Sequence, residues 1–193
     1  MKIALKLSSW CYRVVTLPVV IAAVLIFAFF IIVVLPQMAG QLAAISGVDI
    51  SPDTSFIYTA RDLYAMAEAY GPEGRDYYIY SRFTFDLIWP AAYLFFLAET
   101  ITYLFRFLPE KSPWRLVNLL PFAGTLFDLL ENSAASLVMF RYPAETAVVA
   151  HLAPLFTFLK WLFIALSFAA LVTGVVLQCK NLNVGRKKQY FKT

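Results

Sequence analysis

The stretch Val14-Val-Thr-Leu-Pro-Val-Val-Ile-Ala-Ala-Val-Leu-Ile-Phe-Ala-Phe-Phe-Ile-Ile-Val-Val-Leu35 carries no charged residue. As a helix, about 22 residues rising 1.5 Å each cross a hydrocarbon core of about 30 Å. A cleaved signal peptide is the competing reading, but its apolar core runs only about 7–15 residues. The stretch therefore reads as a first membrane span. Three more apolar stretches follow, over 83–104, 116–140 and 152–177. The chain of 193 residues is 61% hydrophobic and 15% charged. A soluble domain carries about 25% charged residues, so the excess apolar surface calls for lipid.

The charges are sorted along the chain, which fixes an expected orientation. Segment 36–82 sets six acids (Asp49, Asp53, Asp62, Glu68, Glu73, Asp76) against three bases (Arg61, Arg75, Arg82). The connection after the second span has Arg106, Lys111 and Arg115 against Glu110 alone. The tail 180–193 has five bases and no acid. Basic segments stay on the cytoplasmic side, so both termini are expected to be cytoplasmic. The net charge of +4 thus reports topology and contact with anionic lipid, not nucleic acid.

Within the long outer segment, Ser51-Pro52-Asp53 reads as an N-cap, an N1 proline and a first-turn acid, and Gly71-Pro72 as a stop. Phe56, Ala60, Leu63, Ala67 and Tyr70 fall on one face at helical spacing. The expectation is an external amphipathic helix over 52–70, lying on the membrane or capping the bundle. The tyrosine-rich run before the second span suggests a helix that starts outside, near Pro72. Pro90 is expected to kink the second span and Pro121 to bend the third. The fold class is an all-α integral membrane protein: a single-domain, four-transmembrane-helix bundle with an external amphipathic helix between spans one and two.

The third span holds the residues that carry chemistry. In Phe127-Asp-Leu-Leu-Glu-Asn132, Asp128, Glu131 and Asn132 stand at i, i+3 and i+4 and share a helical face. Carboxyls at membrane depth are costly and face a cavity, a partner or a proton path. The competing reading is helix glue, polar groups hydrogen-bonded across the bundle. Lys160, about two turns inside the fourth span, is the natural counter-ion, unless it snorkels to the headgroups beside Trp161. Asp86 either belongs to the same pocket or pairs with Arg82 at i−4. Tyr93 and Thr100 continue its face. Glu99 points elsewhere and reads as a locally hydrogen-bonded or ion-paired group.

Several classes are excluded. Cys11 and Cys179 form no CxxC, and His151 is the sole histidine. Neither a zinc site nor a thiol oxidoreductase is expected, and no cofactor is called for. No Walker loop, GxSxG or dinucleotide-binding glycines occur.

The layout resembles that of the EXPERA group, which includes sterol isomerases and the sigma-2 receptor, small bundles with carboxylates inside the membrane. The likeness is one of topology. The run 127–132 matches no EXPERA motif residue by residue, and no functional residue carries over. The outer segment resembles that of claudin-like four-span proteins, whose Trp…Gly-Leu-Trp and external cysteine pair are absent here.

The leading expectation is a protein that binds a small molecule or lipid in an outward-facing polar pocket between spans two, three and four, as a transport or accessory subunit. Asp128 and Glu131 bind or exchange protons, Asn132 hydrogen-bonds, Lys160 is the counter-ion and Asp86 gates the mouth. The alternatives are an intramembrane enzyme using carboxyl acid/base chemistry on a lipid or isoprenoid, and an assembly protein whose polar residues are glue. Membrane lipids are the expected partners. A transport role also calls for a homo-oligomer, because the chain has no internal repeat.

Overall fold

The structure is a computed structural model and describes residues 2–38, 40–48, 50–52 and 55–190, of which 182–190 are described as backbone only. Among them every regular element is helical. Helix α1 spans Lys2–Val14 and α2 Leu17–Phe29. A π-helical turn, Phe30–Val34, carries α2 into the short α3 (Leu35–Met38), and α4 follows at Gln41–Ser46. The long helices are α5 (Ala60–Arg82), α6 (Phe85–Phe105), α7 (Leu120–Arg141) and α8 (Ala147–Tyr190), with a 3-10 helix at Pro113–Leu119 before α7.

Three stretches are long and apolar enough to cross a membrane: Leu17–Ser46, Ala60–Phe105 and Ala147–Asn181. This is compatible with a multi-pass membrane protein. Helix α7 is less apolar, its run being interrupted by Asp128, Glu131 and Asn132. It lies between α5, α6 and α8, the position that a helix with polar side chains must take.

The helix expected over 52–70 differs from that expectation. It starts at Ala60, where Thr59 and Asp62 form a capping box: Asp62 N donates to Thr59 Oγ1 (3.3 Å) and Thr59 N to Asp62 Oδ2 (2.8 Å). This reciprocal pair satisfies two orphan amides and defines the true start. Of the expected cap, Asp53 lies outside the described residues, and Pro52 precedes the helix. Gly71 breaks α5 as expected: its φ of 63° and ψ of 178° are non-helical, a combination open essentially to glycine. Pro72 then opens a second helical run that continues to Arg82.

The stripe Ala60, Leu63, Ala67 and Tyr70 is buried against Ala134, Ala135, Val138 and Met139 of α7 and Ala150 and Ala153 of α8. Alanines there let the helices approach closely. The helix therefore caps the bundle. Phe56, outside the helix, is 63% exposed and leans on Trp161, with ring centroids 4.9 Å apart.

At the opposite end, α1 docks on the 3-10 helix. Ser8 Oγ donates to Asn118 Oδ1 (2.9 Å) and Tyr12 OH to the Arg115 carbonyl (3.1 Å). Pro121 sits in the first turn of α7, where its missing N–H has no helical acceptor to lose. The expected bend is replaced by the change from 3-10 to α geometry at Leu119–Leu120. Helix α6 continues through Pro90. The tail expected from 180 is helical as far as Tyr190.

Small residues close the bundle. A Cβ on Gly124 of α7 would meet Ile164 Cγ1 of α8 at 3.2 Å, and one on Gly174 of α8 would meet Phe105 and Leu104 of α6 at 2.8 and 2.9 Å.

Candidate functional site: an apolar cavity edged by two ion pairs

Helical spacing brings Asp128, Glu131 and Asn132 to the buried face of α7. Lys160, also buried, faces them from α8. Its ammonium is ion-paired with Glu131 Oε2 and donates to Asp128 Oδ1 at 3.4 Å. Asp128 also accepts from Tyr93 OH of α6 (2.8 Å) and from Asn132 Nδ2 (3.4 Å). Lys160 therefore does not snorkel. One buried cation among these donors and acceptors lowers the cost of two buried carboxylates.

One turn before Lys160 on the same face of α8, Thr157 Oγ1 donates to the Ala153 carbonyl (3.1 Å) and shares a 3.0 Å hydrogen bond with Tyr58 OH. The segment before α5 is thereby tied to the buried cluster. Spacing from Lys160 points to Thr157, whereas Tyr58 lies in an irregular segment with no periodic signal.

Asp86 is ion-paired with Arg82 Nη1 across one turn (3.1 Å), and the Arg82 guanidinium lies 4.5 Å from the Tyr78 ring centroid. Asp86 does pair with Arg82, but the pair is largely buried and not on the surface, and it lines the same cavity as the Asp128–Lys160 pair. That cavity measures about 670 Å³. Its remaining wall is largely apolar and aromatic, with Phe27, Leu35, Phe85, Trp89, Trp161 and Phe168 among its residues. The pocket thus takes a wall from α2, α3 and α4 that was not expected. Glu131 is fully buried behind Lys160 and does not line it.

The other singled-out groups lie elsewhere. Thr100 does not join the cluster. Glu99 is buried on α6, but its Oε2 has no hydrogen-bond partner among the described residues, contrary to the expected local pairing. The adjacent polar line runs from Ser8 through Asn118 to Thr102, with Asn118 Nδ2 donating to Thr102 Oγ1 at 3.1 Å. His151 is exposed and its Nδ1 lies 2.7 Å from the Ala147 carbonyl. Cys11 and Cys179 are both free, and burial pushes the Cys11 thiol up to about 11. Among the described residues no group of three His, Cys, Asp or Glu side chains is placed to hold a metal ion.

No family model, curated protein or solved structure matches the chain.

Chemically, the site offers an apolar chamber with charge at one side. Among the described residues, the paired groups at the site comprise three carboxyls (Asp86, Asp128, Glu131) and two cations (Arg82, Lys160). One carboxyl is therefore in excess, and Asp128 at the wall is the one that shares its cation with another. Such a group can meet a polar ligand head without stranding a cation.

Proposed function

We propose that the chain is a four-span membrane protein with cytoplasmic termini that binds an amphipathic small molecule or lipid in the cavity edged by Asp128, Lys160, Arg82 and Asp86. The observation that carries this is the apolar chamber of about 670 Å³ with both ion pairs in its wall. Ligand pockets are of this size and make-up, mostly apolar with a few convergent polar groups. Helix α7 completes the count of four spans, its polar face covered by α5, α6 and α8. Asp128 meets the ligand's polar head, Lys160 and Arg82 hold the local charge, and Asp86 stands at the rim. Asn132 supports Asp128, and Glu131 anchors Lys160 from behind. A pure glue role predicts paired carboxyls with no chamber beside them, which favours binding for Asp128 and glue for Glu131.

The test is detergent thermal stability with and without an added polar lipid extract. Asp128→Asn leaves each cation one carboxylate and is expected to fold, yet to lose the lipid-induced rise in melting temperature. A variant that keeps the full rise refutes the site.

A second reading has one observation in its favour. The Tyr93 OH–Asp128 hydrogen bond is a proton path open to an apolar chamber, as an enzyme protonating a lipid or isoprenoid would need. Phe at position 93 abolishes turnover in that case and only weakens binding in the first.

A further inference from the structure

At the end of the bundle away from α5, α1 and the segment 110–116 enclose a second cleft of about 830 Å³. Its charge is one-sided. Lys6 and Arg13 come from α1, and Lys111 and Arg115 from the connection. Glu110 is the one acid among the lining residues. The cleft is also a built feature. The Ser8–Asn118 and Tyr12–Arg115 hydrogen bonds pin its walls together, and the Arg115 guanidinium lies 3.6 Å from the Tyr12 ring centroid. No carboxylate pairs with Lys6, Arg13 or Lys111 among the described residues. A cluster of bases kept apart from acids calls for an anion.

The surroundings identify which anion. Leu5 and Leu116 of the lining are 47% and 36% exposed, and Trp10 and Trp114, on the same two elements beside the cleft, are 50% and 68% exposed. Indole rings of this kind settle at the level of lipid headgroups. Helix α1 runs through Val15 and Thr16 directly into the apolar α2, which places the cleft at the foot of the apolar belt. Lys6, Trp10 and Arg13 stand at i, i+4 and i+7 and share a face of α1, and bases interleaved with exposed apolar side chains at the membrane surface attract anionic lipid. A soluble anion would satisfy the bases but leave the apolar rim in water. We propose that this cleft is a binding site for the phosphate headgroup of an anionic phospholipid, with its acyl chains running along the Trp114 rim. The proposal is independent of the cavity between α2 and α8 and of any ligand there.

The test uses the purified full chain in detergent, with native mass spectrometry counting retained lipid after exchange against equal dioleoylphosphatidylglycerol and dioleoylphosphatidylcholine. The wild type should retain one phosphatidylglycerol with at least about tenfold preference, since each base near an anionic lipid surface contributes a factor of about five and two bases already exceed that. The Lys6→Gln/Arg13→Gln/Lys111→Gln variant should lose that preference. Arg186→Gln/Lys187→Gln/Lys188→Gln, which removes equal charge from the tail, should keep it. Should the first variant fail to fold, Lys111→Gln alone should cut the preference by about half or more. Four results would overturn the proposal: no preference in the wild type, an unchanged preference in the cleft variants, equal loss in the tail variant, or complete competition by inorganic phosphate.

Discussion

Lys160 on α8 is ion-paired with Glu131 on α7, and the same ammonium reaches Asp128, one turn nearer the start of α7, at 3.4 Å. The two carboxylates are not equivalent. Glu131 is sealed behind the cation, whereas Asp128 lines the cavity and holds the Tyr93 hydroxyl.

That inequality sets the first prediction. Breaking a buried pair from one side leaves an uncompensated charge and costs about 3–5 kcal/mol. Lys160→Met strands two carboxylates and should be the most damaging single change at the site. Adding Glu131→Leu should recover part of the loss. Unfolding in detergent for the two singles and the double closes the cycle, and additive losses would show that the pair is not coupled.

Tyr93→Phe removes one donor to a buried carboxylate. A hydrogen bond to a charged group contributes about 1.5–3 kcal/mol, so the variant should lose stability in that range. In an Asp128→Asn background, where the acceptor is neutral, the same change should cost less. Equal costs in both backgrounds would mean that the Tyr93–Asp128 contact contributes nothing specific.

At Gly71 the backbone stands at φ 63° and ψ 178°, and no other atom lies within 4 Å of an added Cβ. The cost of Gly71→Ala is therefore conformational and of order 1–3 kcal/mol. Gly74 differs, because a Cβ there would meet Ser46 Cβ at 2.9 Å, so Gly74→Ala should displace α4 from α5. Melting curves for the two variants, with limited proteolysis near residue 46, distinguish strain from undocking: only Gly74→Ala should speed cleavage.

The two cysteines should separate by reactivity. Cys11 is buried with its thiol pushed up to about 11, and Cys179 is exposed. Only the thiolate attacks alkylating agents. Iodoacetamide at pH 8 should label Cys179 and spare Cys11 until the protein is unfolded. Peptide mapping that finds Cys11 labelled in the folded protein would contradict the docked position of α1.

Gly174 sets how closely α6 and α8 approach. A Cβ there would lie 2.8 Å from Phe105 and 2.9 Å from Leu104. Gly174→Leu should cost about 1–3 kcal/mol or more by overpacking, read as a lower melting temperature. A variant as stable as wild type would show that the two helices are free to separate there.

The sequence made the helical character and the α7 cluster legible because both rest on period and polarity. An uncharged stretch long enough to span, and three polar groups on one face of α7, leave few alternatives. Lys160 was within reach for the same reason. Three features were not legible. The start of α5 was misplaced because Ser51-Pro52-Asp53 and Thr59…Asp62 are both credible caps, and the contacts of Ala60 and Leu63 with α7 decide between them. Helix α1 went unseen because the two positions it buries are Ser8 and Cys11, and the partner of Ser8, Asn118, lies 110 residues away. The wall given to the cavity by Phe27 and Leu35 carries no polar mark, so it looked like any other lipid-facing surface.

The face of α5 formed by Leu63, Ala67 and Tyr70 rests on residues 134–139 and 150–153, all of them later in the chain. At about 5–20 residues per second, this apolar stripe leaves the ribosome on the order of ten seconds before its partners exist. During that interval it must be held by something else, a lipid surface or a chaperone. The cap over the bundle therefore cannot find its place until residue 153 has been made, although α5 itself is complete before half the chain.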